Sequence, residues 1–348
     1  MSNNVLKKYS KSIGEVESYY KSLVKMNDKN LARDVKVREK YMAMPVRCSC
    51  KLCDSNNKIR YRFNVHGICY WMCDVCGHVN GEYQDTADYC KSLYEGDWDY
   101  GEDYNDINVE EYNRRVKNIY APKADFMIES LRIGGAQRDA VSVLDVGAGT
   151  GHFVKALEEK RIKSVGVEVD AKQVERAKKF LERNIMEHVP SDSIVERIKR
   201  AEDNVISFIY CLEHVVNLND ILDAVAENPN IRYLFFSVPM FSFSFAIGSL
   251  NDGVSDRLLG GGEHTHLFSR ESVDWLCNKY NYNVIGEWHF GADMADLMRT
   301  MYLILQQDDN IALSNYIMDN FMVIIDELQE VIDRHEMCSD LHMVLKKR

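Results

Sequence analysis

The feature that most constrains the fold is a glycine-rich turn in the middle of the chain, Val143-Leu-Asp-Val-Gly-Ala-Gly-Thr-Gly-His-Phe153. An apolar, strand-like run leads directly into Gly147, Gly149 and Gly151, and a helix-forming sequence follows. Glycine allows the backbone to turn sharply here and lets a ligand approach without a Cβ in the way. The N–H groups at the start of the following helix are free to bind that ligand. The pattern therefore predicts a strand–turn–helix unit that binds a cofactor.

Apolar runs alternate with amphipathic helical stretches along the second half of the chain. The predicted strands are almost continuously apolar, as in Val141–Val146, Ser164–Val169 and Val205–Cys211. A long helix over Ala171–His188 and a late strand over Met301–Leu305 extend the alternation. Strands of this kind are buried on both faces in parallel sheets. We therefore predict an α/β fold with a Rossmann-like, doubly wound and mostly parallel sheet, and with helical extensions at both ends.

Seven of the ten cysteines fall between residues 48 and 90. Cys50 and Cys53 form one C-x-x-C pair, and Cys73 and Cys76 form a second pair after 19 intervening residues. Two such pairs on tight turns, joined by a β-hairpin, can bring four thiolates to a tetrahedral Zn²⁺. Four thiolates leave no open coordination position, so the expected metal is structural. Reduced cysteines without metal, or Cys48 in place of Cys50, are the alternatives.

The spacing of the glycines separates two classes of cofactor. A dinucleotide site has the pattern G-x-G-x-x-G, whereas here the third glycine comes one residue early and His152 takes its place. The G-x-G-x-G spacing, with Asp145 two residues before the first glycine, resembles the first motif of class I S-adenosylmethionine-dependent methyltransferases. Glu168, at the end of the second predicted strand, can accept both ribose hydroxyls of either cofactor.

Two later motifs strengthen this resemblance. Tyr210-Cys-Leu-Glu-His-Val215 resembles the "LEH" signature of a methyltransferase group that includes ubiquinone-type O-methyltransferases and many sugar-modifying enzymes. Glu263–Ser272 resembles the "H…FS…S" turn of the same group. The resemblance implies S-adenosylmethionine as the cofactor. The residues expected to bind it are Asp145, Gly147, Gly149, Gly151, Glu168 and Tyr210.

A cysteine-pair ribbon, a tyrosine-rich connector and a methyltransferase domain together resemble bacterial methyltransferases that modify deoxysugars or nucleotide-linked sugars. The chain ends before the large C-terminal domain of the sugar C-methyltransferases, which leaves O- or N-methylation open. We therefore predict transfer of a methyl group to a sugar or nucleotide-sugar. An RNA or protein methyltransferase that docks through the ribbon is the alternative, and a non-catalytic binding protein is a third.

Methylation of a hydroxyl group usually needs a general base, and histidine suits that role at neutral pH. The candidates are His214, in the LEH signature, His264 and His266, which follow the flexible run Gly260–Gly262, and His289. A loop histidine that only hydrogen-bonds to the backbone is the alternative for each. Some relatives bind a divalent cation near the LEH signature through an acid at the position of Tyr210. A catalytic metal is therefore not expected.

The 348 residues accommodate one large domain and an accessory module. The predicted segments are an N-terminal helical segment (1–45), a zinc-ribbon module (46–90), a helical connector that can cover the substrate (91–139), a methyltransferase domain (140–310) and a C-terminal helical tail (311–348).

The balance of charges bears on partners. The chain has 54 acidic and 43 basic residues, a net charge of −11, which opposes binding to nucleic acid and anionic membranes. No apolar run is long enough to span a bilayer and the N-terminus lacks an apolar signal core, so a cytoplasmic location is predicted. We expect a sugar-like substrate, no nucleic acid and no membrane. The amphipathic ends of the chain offer surfaces for a homodimer.

Overall fold

The structure of this protein is a computed structural model. It describes residues 4–11, 27–56, 58–90, 108–181, 183, 185–250, 254 and 264–348. Three features of the sequence lie outside these residues: residues 12–26 of the predicted N-terminal helical segment, the tyrosine-rich acidic segment at 94–104, and the glycine run at 260–262.

The described residues form eleven strands. In chain order they are β1 (Leu6–Tyr9), β2 (Ile59–Val65), β3 (Ile68–Cys73), β4 (Val79–Gly81), β5 (Ser142–Val146), β6 (Lys163–Glu168), β7 (Met186–His188), β8 (Val205–Ile209), β9 (Tyr233–Pro239), β10 (Tyr282–Phe290) and β11 (Asp340–Lys347).

Twelve α-helices lie wholly within the described residues, and residues 87–90 are also helical. The twelve are α1 (Asn27–Met42), α2 (Val109–Arg115), α3 (Ala121–Ile133), α4 (His152–Glu159), α5 (Ala171–Ala177), α6 (Ile194–Lys199), α7 (Leu218–Glu227), α8 (Phe243–Ser249), α9 (Arg270–Lys279), α10 (Asp293–Gln307), α11 (Ile311–Phe321) and α12 (Ile325–Arg334). A π-helical turn, Val116–Tyr120, joins α2 to α3. None of these helices has both the length and the apolar character that crossing a bilayer requires.

Eight strands form the central sheet, in the order β1-β10-β11-β9-β8-β5-β6-β7. Neighbours from β9 to β7 are parallel, because each intervening segment returns the chain to the same edge of the sheet. Strand β11 is antiparallel to both β9 and β10, and β1 is parallel to β10. Apolar clusters of helices and strands bury both faces of the sheet. The predicted α/β, Rossmann-like and mostly parallel architecture is confirmed.

The end of the chain requires the largest correction. The sequence pattern predicted a helical tail over residues 311–348, outside the sheet. Helices α11 and α12 do lie in this segment, but Asp340–Lys347 is strand β11, inserted between β9 and β10, with its first six residues buried. The partners of β11 lie far away in the sequence, so the local pattern of residues does not reveal that the strand belongs to the sheet.

Three shorter stretches were also misassigned. Leu6–Tyr9, predicted as part of a helix, is edge strand β1 and pairs with β10. The helix predicted over Ala171–His188 ends at Ala177, and its last three residues are edge strand β7. The strand predicted over Met301–Leu305 is part of α10. Short edge strands and half-buried helices have similar apolar content, so periodicity over a few residues does not distinguish them.

Strands β2 to β4 form a separate antiparallel sheet, the ribbon module, which packs on the main domain. Its Leu52 and Trp71 belong to the same buried apolar cluster as Phe268 of the main domain. At the edge of this contact, Arg60 forms an ion pair with Glu271 at the start of α9. Its Nη1 lies 2.8 and 2.9 Å from the two carboxylate oxygens. The ribbon therefore shares a hydrophobic core with the domain that it precedes.

Candidate functional site

The glycine turn lies at the carboxyl end of β5, between the ends of β6 and β8. Gly147, Gly149 and Gly151 have φ angles of +74°, +54° and +76°, in the left-handed region that favours glycine. A Cβ on Gly147 would lie 2.5 Å from Cys211 Sγ, whereas a Cβ on Gly149 would meet no described atom within 4 Å. The turn is therefore packed against the end of β8 but open at Gly149, which leaves a cradle for a ligand.

Glu168, at the end of β6, fixes the other side of this cradle. Its Oε2 accepts a hydrogen bond from Gly149 N at 2.7 Å. Its Oε1 accepts from Val169 N and Asp170 N at 2.8 and 3.0 Å. Since each carboxylate oxygen has two lone pairs, Oε2 keeps one acceptor position for a ligand hydroxyl while it holds the turn.

Asp145 lies beneath the turn, in β5, and is 1% exposed. Ser207 Oγ donates a hydrogen bond to its Oδ1 at 2.7 Å. Burial raises the pKa of Asp145 to about 7, and nearby Glu168 adds to this effect, while Ser207 and Lys123 act against it. Burying a carboxyl group costs free energy. Buried carboxyl groups with shifted pKa values therefore cluster at ligand-binding and catalytic sites.

Tyr210 directly follows β8 and has a left-handed φ of +52°. Its hydroxyl donates a hydrogen bond to Asp340 Oδ1 at 2.7 Å. Asp340 is the first residue of β11, the strand that the sequence analysis placed outside the sheet. The side chain of Tyr210 is thus held at the carboxyl edge by the end of the chain.

Two of the four candidate bases lie together at this edge. The rings of His214 and His264 have centroids 4.9 Å apart, and His214 Nε2 lies 3.8 Å from Glu213 Oε1. Glu213 is 1% exposed, and its Oε2 has no hydrogen-bond partner among the described residues. Burial raises the pKa of Glu213 to about 8. The ligand atoms of all three residues lie within 4.8 Å of one another, so the cluster can take a proton or hold a cation.

His266 lies apart from this pair, at the boundary with the ribbon. Its Nδ1 is 3.2 Å from Nε2 of the ribbon residue His78, and its backbone N–H donates to Glu213 O. Both imidazoles are buried, and burial lowers the pKa of His78 to about 3 and that of His266 well below its usual value. The structure therefore brings together His214 and His264 but pairs His266 with the accessory module.

The four ribbon thiols converge as the two C-x-x-C pairs predict. All four Sγ atoms lie within 4.8 Å of one another, with Cys50 and Cys76 at 3.5 Å and Cys53 and Cys73 at 3.6 Å. Tetrahedral Zn²⁺ with Zn–S bonds of about 2.3 Å would separate its ligands by about 3.8 Å. The donor set and its spacing fit this ion.

Three residues at the site escaped the sequence analysis: Lys123, Asp340 and His78. Lys123 did carry a signal, because it shares the buried face of α3 with Phe126 and Met127, at spacings of three and four residues. A lysine on an apolar helix face is unusual. Asp340 and His78 carried no comparable signal, since their partners come from distant segments.

A family model described as a methyltransferase domain matches residues 112–287, just over half of the chain, from α2 to β10. The chain belongs to this family. The protein is an S-adenosylmethionine-dependent methyltransferase, as the glycine spacing predicts. No curated protein matches its sequence.

Several solved structures are similar to this methyltransferase. The methyltransferase domain of bacterial CtHen1 is 17% identical, with 69% of this chain and 100% of that chain covered and a TM-score of 0.41. The plantazolicin methyltransferase BamL, solved in complex with a triazolic desmethylPZN analog and S-adenosylhomocysteine, is 14% identical, with coverages of 74% and 94% and a TM-score of 0.45. Magnesium protoporphyrin IX methyltransferase from Synechocystis PCC 6803 is 11% identical, with coverages of 75% and 97% and a TM-score of 0.44.

Proposed function

We propose that this methyltransferase acts on a small-molecule acceptor, a sugar or nucleotide-sugar. The main support for this proposal is that cationic side chains of the ribbon form ion pairs with carboxylates of the same protein. Arg47 and the buried Lys51 both pair with Asp85, and Arg60 pairs with Glu271. A ribbon that docks on RNA needs free cations for phosphates, and here these three already form ion pairs within the protein.

The edge beside the glycine turn also suits a hydroxyl-rich acceptor. It carries the carboxyl groups of Glu213 and Asp340, the imidazoles of His214 and His264, and the phenol of Tyr210. Such groups accept and donate hydrogen bonds to hydroxyls, which fix the orientation of a polar ligand.

S-adenosylmethionine, when bound, supplies an electrophilic methyl group. The residues that would hold it are Asp145, Gly147, Gly149, Gly151, Glu168 and Tyr210. Next to them, His214 Nε2 would accept the proton of the acceptor hydroxyl, and the deprotonated form of Glu213 would stabilise the resulting imidazolium. His264 is the second candidate for this proton, and alignment of the two reactants supplies much of the rate.

Structural Zn²⁺ in the ribbon completes the proposal. The metal would be held by Cys50, Cys53, Cys73 and Cys76, which leaves no position for a substrate. Its expected role is to hold the ribbon in the shape that packs on the main domain.

The destination of a labelled methyl group tests the function. The protein is incubated with methyl-labelled S-adenosylmethionine and, in separate reactions, a panel of nucleotide-sugars, total RNA and protein extract. Label in a nucleotide-sugar or its sugar is the expected result. Incorporation into RNA or protein instead would show that the acceptor is a macromolecule.

The base is tested in the same assay with His214→Asn. We expect kcat to fall by about 10²–10⁴-fold, while the affinity for S-adenosylhomocysteine is unchanged. His335→Asn, at an exposed position after α12, is the control. An unchanged kcat for His214→Asn would move the role to His264.

A further inference from the structure

Lys123, on α3, is a buried cation that forms neither a hydrogen bond nor an ion pair with the residues that the structure describes. It is only 3% exposed, and its Nζ lies 4.9 Å from the ring centroid of Tyr120 and 4.5 Å from that of Tyr210. Aromatic faces stabilise an ammonium group only in part, and burying a charge is costly unless a partner neutralises it. An anionic ligand bound next to Lys123 would neutralise this buried charge.

The helical connector that carries Lys123 packs directly on the glycine turn. The hydroxyl of Tyr112, on α2, donates a hydrogen bond to Thr150 O at 3.1 Å. The ring of His152 stacks between Tyr112 and Tyr120, with centroid distances of 4.2 and 5.0 Å. The connector thus forms a wall of the cradle.

The strand order shows which end of the cofactor this wall meets. Glu168 lies at the end of β6, on one side of the turn, and an acid in this position accepts ribose hydroxyls. Lys123 and Tyr210 lie on the opposite side, beside the end of β8. A cofactor with its ribose at Glu168 that extends across the turn brings its amino-acid end to Lys123. The α-carboxylate is the one negative charge that S-adenosylmethionine carries, since its sulfonium and amino groups are positive.

We propose that Lys123 binds the α-carboxylate of S-adenosylmethionine, so that the connector and the glycine turn together select the cofactor. This inference rests on the use of that cofactor by the protein.

The charges around Lys123 give the interaction a pH dependence. Burial, together with Lys11 and Arg115, lowers the pKa of Lys123 to about 7, while Asp340 and Asp145 act in the opposite direction. Only the protonated amine attracts a carboxylate. The affinity for S-adenosylhomocysteine should therefore fall as the pH rises above about 7, by up to tenfold per pH unit. The other titratable groups whose charge interacts with Lys123 are His152, Glu213 and His342.

The test compares two ligands by calorimetric titration. S-adenosylhomocysteine has the amino-acid group, whereas 5′-methylthioadenosine lacks it. Lys123→Met should weaken binding of the first at least ~10-fold and leave binding of the second unchanged, because methionine keeps the apolar stem but not the charge. Lys117→Met is the matched control: Lys117 lies in the same connector but is exposed, so its loss should change neither affinity.

Equal affinity of Lys123→Met and wild type for S-adenosylhomocysteine would overturn the inference. An equal loss for both ligands would also overturn it, because the defect would then not involve the carboxylate. If the variant does not fold, the wild type decides: affinity for S-adenosylhomocysteine, but not for methylthioadenosine, should fall between pH 7 and pH 9. A wild type that binds neither ligand would contradict the cofactor assignment itself, a distinguishable outcome.

Discussion

The ribbon module and the glycine turn both begin as short sequence motifs, but they are stabilised in different ways. In the ribbon, four thiols face one another, and the buried Lys51 is neutralised by Asp85. At the turn, three left-handed glycines leave an open cradle, and Asp145 and Glu213 are buried with raised pKa values.

This difference indicates that the ribbon has a structural role and that the edge beside the glycine turn binds ligands. A module in which Arg47, Lys51 and Arg60 form ion pairs, and whose thiols can saturate a metal, has fewer groups left for a ligand. The edge beside the glycine turn buries carboxyl groups and the ammonium group of Lys123, which costs stability. Such a cost is typical of a site whose polar groups bind a ligand.

Removing one thiol should cost the most. Cys73→Ser leaves Zn²⁺ with three thiolates, and structural zinc sites contribute roughly 10 kcal/mol or more to folding. Because the ribbon shares its core with the main domain, we expect both loss of metal and a lower Tm for the whole chain. Metal analysis and thermal unfolding measure these effects. The exposed Cys48→Ser is the control, and one equivalent of zinc retained by Cys73→Ser would refute the site.

Gly149→Val should abolish cofactor binding while lowering the free energy of unfolding no more than Gly67→Val does. Gly67, in the ribbon hairpin, also has a positive φ, +80°, and no described atom near its missing Cβ. Valine at either position costs about 1–3 kcal/mol of backbone strain. Only Gly149→Val fills the cradle, so it alone should weaken S-adenosylhomocysteine binding, by ~100-fold or more. Similar affinities for the two variants would mean that the cradle is not the cofactor site.

Asp145→Asn should change the pH dependence of stability. The pKa of Asp145 is raised from 3.8 to about 7 on folding, so between these values the native state binds more protons than the unfolded state. The free energy of unfolding therefore falls as the pH rises through this window, by at most about 1.4 kcal/mol per pH unit. Urea unfolding from pH 4 to pH 8 should show a flatter profile for Asp145→Asn. Its control is the exposed Asp139→Asn, and parallel profiles for wild type and Asp145→Asn would exclude this effect.

Much of this protein could be predicted from local sequence. The spacing of the three glycines determines a left-handed turn after a buried strand, and the C-x-x-C pairs determine two knuckles. These features depend on a few contiguous residues, because φ preferences and tight turns are local properties. The alternation of apolar runs and helices likewise determined the layered α/β architecture.

Only the tertiary structure decided how distant segments complete the site. Strand β11 enters the sheet beside β9 and brings Asp340 to Tyr210. The connector buries Lys123 against the turn, and the ribbon draws His266 away from His214. Each of these contacts joins residues far apart in the chain, where the choice of partner depends on which surfaces are buried together. A local sequence pattern does not specify such distant partners. The local sequence therefore determined the glycine cradle, whereas tertiary packing determined which charged groups face it.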